Sequence, residues 1–182
     1  TDGGSIKETY ADGTVNMTNG ATAENTTINA SGTLNIDNAS ATNTTIAGTA
    51  IATNGAILTS NTIAATGTLT LTDAKAIDNK ISGTVNVNSG AAASNTLVYK
   101  NAELNVTDGG AINTTYADGT INVTNGGMAE NTRINASGEL NVTSATTVNT
   151  EISGVANVNA GAIATTNTVA ATGTLNVVDG GV

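Results

Sequence analysis

Short triplets, in which two aliphatic residues flank one residue that is usually polar, recur along the chain at nearly even spacing. Leu34-Asn35-Ile36 and Leu104-Asn105-Val106 are two of them. Such alternation predicts β-strands, because successive side chains leave opposite faces of a strand. The aliphatic residues then face a core, and the central residue faces outward. At steps of 16 to 19 residues, the ten triplets begin at Val15, Leu34, Ala50, Leu69, Val85, Leu104, Ile121, Leu140, Ala156 and Leu175.

An Asn that is usually followed by Thr and then by an aliphatic residue marks a second position about every 18 residues, as in "NTTI" at Asn25. We expect these Asn residues to lie above one another and to form a structural ladder of hydrogen-bonded amides. The alternative is that they only form turns. The marker residues are Asn25, Asn43, Asn61, Asn79, Asn95, Asn113, Asn131, Asn149 and Asn167.

Turn-forming residues separate the short strands. Nine of the ten triplets have a Gly two residues before their first aliphatic residue, and Ala102 is the exception. A corner Gly suits a positive φ or a close backbone approach. A second turn, such as "TNGG" at Thr124, follows the triplets. Helical solenoids need long amphipathic segments, which the chain lacks. The sequence therefore predicts an all-β fold, a parallel β-helix (solenoid) of about ten coils with about 18 residues each.

A longer repeat is superimposed on the short one. Residues 1–76 align without a gap with residues 107–182, and 45 of the 76 positions are identical. Duplication of whole blocks suits a solenoid, in which each coil contacts only its neighbours. Both ends of the sequence are ordinary repeat without an atypical cap. We therefore expect residues 1–182 to form a single β-helical segment and to be a fragment of a longer one.

The residue types limit the chemistry that the chain can perform. It has no Cys or His, which excludes thiol nucleophiles, imidazole bases and the usual zinc sites. A net charge of −9 with five scattered basic residues argues against a nucleic-acid partner. Asp2, Asp108 and Asp179 lie in "DGG" turns, but the calcium-binding nonapeptide repeat is absent, so we expect neither a metal nor another cofactor. No apolar run reaches the ~20 residues of a membrane-spanning helix, and we expect no direct membrane insertion.

Two other kinds of β-helix require residues that this sequence lacks or places too far apart. A polysaccharide-active enzyme needs acids within ~5–10 Å of each other. Equivalent acids such as Asp12 and Asp118 are six coils apart, about 29 Å at the strand spacing, so we expect no enzyme. An ice-binding rod needs Thr-x-Thr in nearly every coil, and only Thr68 to Thr72 supply it. A polysaccharide-active enzyme and an ice-binding or inert stalk segment remain the alternatives.

The full pattern resembles the imperfect repeats of AIDA-type self-associating autotransporter adhesins. Residues 126–142, "GGMAENTRINASGELNV", and residues 108–123, "DGGAINTTYADGTINV", carry the resemblance most clearly. The chain departs from the family in being richer in Asn and Thr and poorer in Gly. The coil "NTLVYKNAELNV", from Asn95 to Val106, also lacks its corner Gly.

The resemblance implies a secreted passenger domain, folded as a right-handed parallel β-helix and attached to the outer membrane at the cell surface of a Gram-negative bacterium. It implies cell aggregation, biofilm formation and attachment to a host-surface receptor, hence a role in virulence. Several members of the family are heptosylated on Ser and Thr by a bacterial heptosyltransferase. The expected partners are therefore other copies of the adhesin, that enzyme and a host receptor.

Two sets of outward residues are candidate sites on this rod. The central Asn residues of the triplets form an uncharged file that we expect to be a self-association face, although an inert solvated face is the alternative. Its residues are Asn86, Asn105, Asn122, Asn141, Asn157 and Asn176. Outward hydroxyls near the Asn-Thr marker and the corner Gly are candidate glycosylation acceptors, namely Thr27, Thr45, Ser31 and Ser137.

Overall fold

The computed structural model describes residues 2–178 and 180–182, and all of the regular elements in these residues are β-strands. The strands pair in parallel with the strands of the preceding and the following coil. Ten coils of about 18 residues follow one another along the axis, which confirms the predicted β-helix. No candidate membrane-spanning helix occurs among these described residues.

One side of the rod, which we name the triplet face, is a ten-stranded sheet made of the predicted triplets. Its strands neighbour one another in strict coil order, from the first coil to the last. They are β3 (Thr14–Thr18), β6 (Thr33–Asp37), β9 (Thr49–Thr53), β12 (Thr68–Leu71), β15 (Thr84–Val87), β17 (Glu103–Val106), β19 (Thr120–Thr124), β21 (Glu139–Thr143), β24 (Val155–Val158) and β27 (Thr174–Val177).

The other two sides together form a 17-stranded sheet. We name them the leading face and the middle face, in the order in which each coil passes through them. The leading face contains β1 (Ser5–Lys7), β4 (Thr22–Glu24), β7 (Ser40–Thr42), β10 (Ile57–Thr59), β13 (Lys75–Ile77), β22 (Thr146–Val148) and β25 (Ile163–Thr165). The middle face contains β2 (Tyr10–Ala11), β5 (Thr27–Ile28), β8 (Thr45–Ile46), β11 (Thr62–Ile63), β14 (Lys80–Ile81), β23 (Glu151–Ile152) and β26 (Thr168–Val169). Three longer strands run through both faces, namely β16 (Ala92–Val98), β18 (Ala111–Ala117) and β20 (Met128–Ile134).

A thin aliphatic core runs along the axis. Both aliphatic residues of the triplets face it, and Leu34, Leu69 and Leu104 are fully buried. In the terminal coils, which have a neighbour on one side only, Val15 and Leu175 are partly buried and Val177 is exposed. The predicted inward direction of the triplet aliphatics is therefore confirmed. Stacked coils, rather than large interlocking side chains, exclude water from this core.

From the second coil onward, the corner glycines are required by close backbone approach. A Cβ on Gly67 would lie 2.0 Å from the carbonyl oxygen of Ile46, in the preceding coil. A Cβ on Gly48 would lie 2.2 Å from the carbonyl oxygen of Gly32. Neither Gly67 nor Gly48 has a positive φ. Close backbone approach, and not left-handed backbone, therefore explains the glycine at these corners.

The turns after the triplets require left-handed backbone. Asn19 and Gly20 have φ values of 51° and 78°, and Asn125 and Gly126 have values of 47° and 78°. Two successive residues with positive φ are typical of a type I′ turn, for which Asn-Gly is the favoured pair. The "TNG" sequences therefore turn the chain from the triplet face to the leading face of the next coil.

The Asn residues of the second marker do not form one ladder of all nine, although axial amide hydrogen bonds of 2.6 and 3.4 Å join Asn149 to Asn131 and Asn131 to Asn113. The structure places them at three different positions of the coil. One set has positive φ and lies exposed at the corner between the leading and middle faces, namely Asn25, Asn43, Asn95, Asn131 and Asn149. A second set, Asn61, Asn79 and Asn167, lies one residue further along and points inward. Asn113 lies on the leading face, where it pairs with Ser94 and Glu130.

The cause is a difference of one residue in the spacing to the next inward aliphatic residue. Asn25 precedes Ile28 by three residues, whereas Asn61 precedes Ile63 by two. The stacked aliphatics fix the register of the strands, and a shift of one residue moves a side chain to the opposite face. Asn61 is therefore buried, while Asn25 is exposed.

The inward Asn residues serve the backbone of neighbouring coils. The Asn61 Oδ1 accepts a hydrogen bond of 2.7 Å from the Thr44 N–H, and the Asn61 Nδ2 donates to the Ala41 carbonyl oxygen at 3.2 Å. The Asn61 N–H in turn donates to the Asn79 Oδ1 at 3.0 Å. These amides give buried N–H groups the partners that they need away from water.

The close approach at the corner predicts a selective effect of added methyl groups. We expect Gly67→Ala to lower the free energy of unfolding by roughly 1–3 kcal/mol, because its Cβ would press on the Ile46 carbonyl. Gly13→Ala is the matched control, since a Cβ there meets no atom within 4 Å, and its effect should stay below about 0.5 kcal/mol. Denaturant unfolding followed by circular dichroism measures both, and equal stability of the two variants would contradict this explanation.

The buried amide at position 61 predicts a second effect on stability. Asn61→Leu leaves the buried Thr44 N–H without its acceptor, which should cost roughly 1–3 kcal/mol. The control, Thr62→Val, changes an outward neighbour on the same strand and should alter stability by less than about 0.5 kcal/mol. Hydrogen exchange at the Thr44 amide should accelerate in Asn61→Leu alone. An unchanged exchange rate would show that this bond does not protect the amide.

Candidate functional site

The central residues of the triplets form an amide ladder along the triplet face. Asn105 Nδ2 donates to Asn86 Oδ1 at 3.0 Å, and Asn122 Nδ2 donates to Asn105 Oδ1 at 2.9 Å. The bonds from Asn141 to Asn122, from Asn157 to Asn141 and from Asn176 to Asn157 measure 3.1, 2.8 and 2.8 Å. We use the name amide ladder for these six residues, Asn86, Asn105, Asn122, Asn141, Asn157 and Asn176. These six residues are the ones that the sequence predicted as a self-association face. The axial amide bonding between them is the type of bonding that was expected for the Asn residues of the second marker.

The same bonding occurs at the other end of the face, where Asn35 Nδ2 donates to Asn16 Oδ1 at 2.7 Å. Ile51 and Thr70 interrupt the file between the two stretches, as the strand register shows. The amide ladder itself therefore extends over the last six coils, from β15 to β27.

Hydrogen bonds within the amide ladder fix how its amides can bind a partner. An Asn side chain offers two N–H donors and an oxygen with two lone pairs. Asn105 and Asn141 each use one N–H along the axis, so a second N–H remains for a partner. Asn122 uses both, because its Nδ2 also donates to Glu103 Oε1 at 2.9 Å. The amides are half-buried and held in one orientation, except at the exposed terminal Asn176.

Hydroxyl and carboxylate side chains flank the amide ladder on the same strands. The residue two positions before a ladder Asn also points outward and forms a column beside the ladder. This column contains Thr84, Glu103, Thr120, Glu139 and Thr174, in coil order. The Glu139 Oε1 accepts a bond of 3.2 Å from Asn157 Nδ2. Reasoning from the sequence missed these flanking files. The alternation that defined the triplets predicts them when it is extended by two residues toward the N-terminus of each strand.

The candidate glycosylation residues divide into two environments. Thr27 and Thr45 are neighbours in the register of the middle face and are half-buried. Ser31 and Ser137 lie exposed in the corner before the Gly. The Ser31 Oγ donates to the Asp12 carbonyl oxygen at 3.2 Å, and the Ser137 Oγ is within 3.1 Å of the Asp118 carbonyl oxygen. The hydroxyls of both serines are thus oriented by the preceding coil.

The charged groups of the described residues are dispersed. Lys7 and Glu24 form an ion pair of 2.8 Å on the leading face. The hydrogen bond to the Glu24 carboxylate, together with its negative charge, raises the pKa of Lys7. Within residues 2–178 and 180–182, no three Asp, Glu, His or Cys residues are grouped so that they could hold a metal ion. Asp179, one of the three Asp residues in "DGG" turns, lies outside the described residues.

Comparison with known proteins bears on the fold. No protein-family model matches the chain, and no curated protein matches it. Among solved structures, the chain is similar to the crystal structure of a TibC-catalysed, hyper-glycosylated fragment of TibA, with a TM-score of 0.68. The two sequences are 19% identical, and the match covers 97% of this chain and 98% of that chain. The β-helix described above is therefore the fold of that hyper-glycosylated fragment as well.

Proposed function

We propose that the chain is a non-enzymatic segment of an adhesin passenger domain on the surface of a Gram-negative bacterium, and that copies of it associate through the triplet face. The observation that carries this proposal is the amide ladder, a continuous file of oriented amides over six coils. The adhesin resemblance of the repeats and the fold shared with a TibA fragment support it. Biofilm formation and attachment to a host-surface receptor belong to the same proposal.

The geometry of the amide ladder suits weak contacts that are repeated many times. A hydrogen bond between two such amides contributes only about 0.5–1.5 kcal/mol, because each amide gives up water to form it. The ladder amides are already ordered by their axial bonds, so little further entropy is lost when a partner binds. Neighbouring coils are about 4.8 Å apart in both partners, which lets the contacts repeat in register. Many rods on one cell then multiply a small affinity.

Electrostatic repulsion sets a limit on this association. Each chain has a net charge of −9, and Glu103 and Glu139 lie beside the amide ladder itself. At physiological ionic strength the Debye length is about 8 Å, so repulsion between charges on two rods that are farther apart than this is largely screened. The uncharged ladder then supplies the direct contact.

We also propose that the chain is an acceptor for a bacterial heptosyltransferase. The solved TibA fragment is hyper-glycosylated, and the present chain shares its fold. Thr27, Thr45, Ser31 and Ser137 are the proposed acceptors, since all four hydroxyls lie on the outer surface of the rod. Sugars at these positions would cover the middle face and its corner and leave the triplet face bare.

A bead-aggregation assay tests the proposed self-association face. Beads coated with the native fragment should clump, and the triple variant Asn105→Lys, Asn122→Lys, Asn141→Lys should not, because charge replaces three amides at the centre of the ladder. The matched control places three lysines in the same coils on the leading face, as Ala92→Lys, Ala111→Lys, Met128→Lys. That column already contains Lys75.

The control separates the loss of amides from the change in charge. Native and control beads should clump alike, and circular dichroism should show that both triple variants are folded. If the amide-ladder variant clumps as well as the native fragment, the triplet face is not the contact surface. If both variants fail to clump, the effect is that of charge and the amides have no special role.

Mass spectrometry tests the glycosylation proposal. Co-expression with a bacterial heptosyltransferase should add heptosyl groups to the native fragment, and peptide mapping should place them on Thr27, Thr45, Ser31 and Ser137. The variant Thr27→Val, Thr45→Val, Ser31→Ala, Ser137→Ala should lose most of this added mass. A control that changes Thr33, Thr49, Thr84 and Thr120 of the triplet face to Val should retain it. Retention of the full added mass by the first variant would contradict the assignment.

A further inference from the structure

A shallow groove crosses the middle face in the second half of the rod, away from the triplet face. Its volume is about 320 Å³, which is in the range of sites that bind small molecules. The side chains that matter in its wall are Tyr116, Arg133, Glu151, Asn131 and Asn149. None of them belongs to the amide ladder or to the candidate glycosylation residues.

Three successive coils supply an aromatic ring and an ion pair to this groove. Tyr116, Arg133 and Glu151 are partners in the register of neighbouring strands. The Arg133 Nη2 and the Glu151 Oε1 are 3.2 Å apart, and both side chains are about half exposed. Tyr116 is 45% exposed, so its ring is accessible to a ligand. The groove therefore presents an aromatic side chain beside a charge pair that is neutral overall.

Two corner amides form the rim of the groove. Asn131 and Asn149 have left-handed backbone, with φ values of 49° and 54°, which turns both side chains outward. The Asn149 Nδ2 donates to Asn131 Oδ1 at 2.6 Å, and the Asn131 Nδ2 donates to Asn113 Oδ1 at 3.4 Å. Each amide thus uses one N–H in this chain of bonds and has a second one for a ligand.

We propose that this groove binds a neutral saccharide. One face of a pyranose ring presents C–H groups with partial positive charge, which suit the negative face of an aromatic ring such as that of Tyr116. Its hydroxyls both donate and accept, and the groove offers acceptors on Glu151 and donors on Arg133, Asn131 and Asn149. The Glu151 carboxylate neutralises Arg133 at 3.2 Å, so the groove has no unpaired cation that would select an anionic ligand.

The internal repeat provides a natural comparison. In the first super-repeat the positions equivalent to Tyr116, Asn131 and Asn149 are again Tyr and Asn, namely Tyr10, Asn25 and Asn43. The ion pair is absent there, because Thr27 and Thr45 occupy the positions of Arg133 and Glu151. We therefore expect one saccharide site in the chain and assign it to the second super-repeat.

Saturation-transfer NMR on the intact fragment tests the proposal, with the methyl glycosides of glucose, galactose and mannose as probes. We expect transfer to the ring C–H protons of at least one glycoside. Tyr116→Ala should weaken binding about tenfold or more, and Tyr116→Phe, which retains the ring, should bind nearly as well as the native chain. The variant Arg133→Thr, Glu151→Thr installs the residues of the first super-repeat, so it should remain folded, and it should also lose binding.

Tyr10→Ala is the matched control, since it removes an exposed Tyr from the equivalent position without touching the groove. Binding should be unchanged in this variant. Equal loss in Tyr10→Ala and Tyr116→Ala, or no transfer to any of the three glycosides, would overturn the assignment. The assay uses soluble sugars and separate chains, so its result is independent of whether copies of the chain associate through the amide ladder.

Discussion

Stacking of inward aliphatic side chains is the constraint on which the rest of the molecule depends. Each coil contacts only the coils before and after it, and Leu34, Leu69 and Leu104 show how completely this contact buries the triplet aliphatics. Coils of slightly different length can still stack, because the turns absorb the extra residues while the aliphatics stay aligned. Every outward column of the rod, and hence every candidate binding surface, takes its register from that alignment.

The same constraint explains which parts of the structure could be predicted from the sequence. In every triplet the central residue is adjacent to both inward aliphatic residues. The strands and the outward Asn file could therefore be predicted directly from period-two alternation. The second marker looked equally regular, but its Asn stands three residues before Ile28 in one coil and two before Ile63 in another. Spacing between like residues is a weaker guide than spacing to the core. Axial amide bonding was predicted for the second marker, where it joins Asn113, Asn131 and Asn149, and it extends over more coils on the triplet face.

The groove on the middle face could not be predicted from spacing alone. Tyr116, Arg133 and Glu151 are 17 and 18 residues apart in sequence, and only the strand register makes them neighbours. Nothing in a single coil distinguishes them from ordinary outward positions, which in other coils are Thr27 or Thr62. An outward residue that differs from its equivalents in other coils is the informative signal for a ligand site. A solenoid tolerates such a residue because the core is unchanged. Positions that break the repeat are therefore where a ligand site can be placed without cost to the fold.

The amide ladder also gives the rod a direction. Every Nδ2 donates toward the N-terminal coil and every Oδ1 accepts from the C-terminal coil, in each of its five bonds between Asn residues. The dipoles of the side-chain amides therefore add head to tail, as peptide dipoles do in a helix. Two such rows side by side have the lower electrostatic energy when they point in opposite directions. In the proposed association, the polarity of the ladder therefore favours antiparallel rods, such as those projecting from facing surfaces, over parallel rods on one surface.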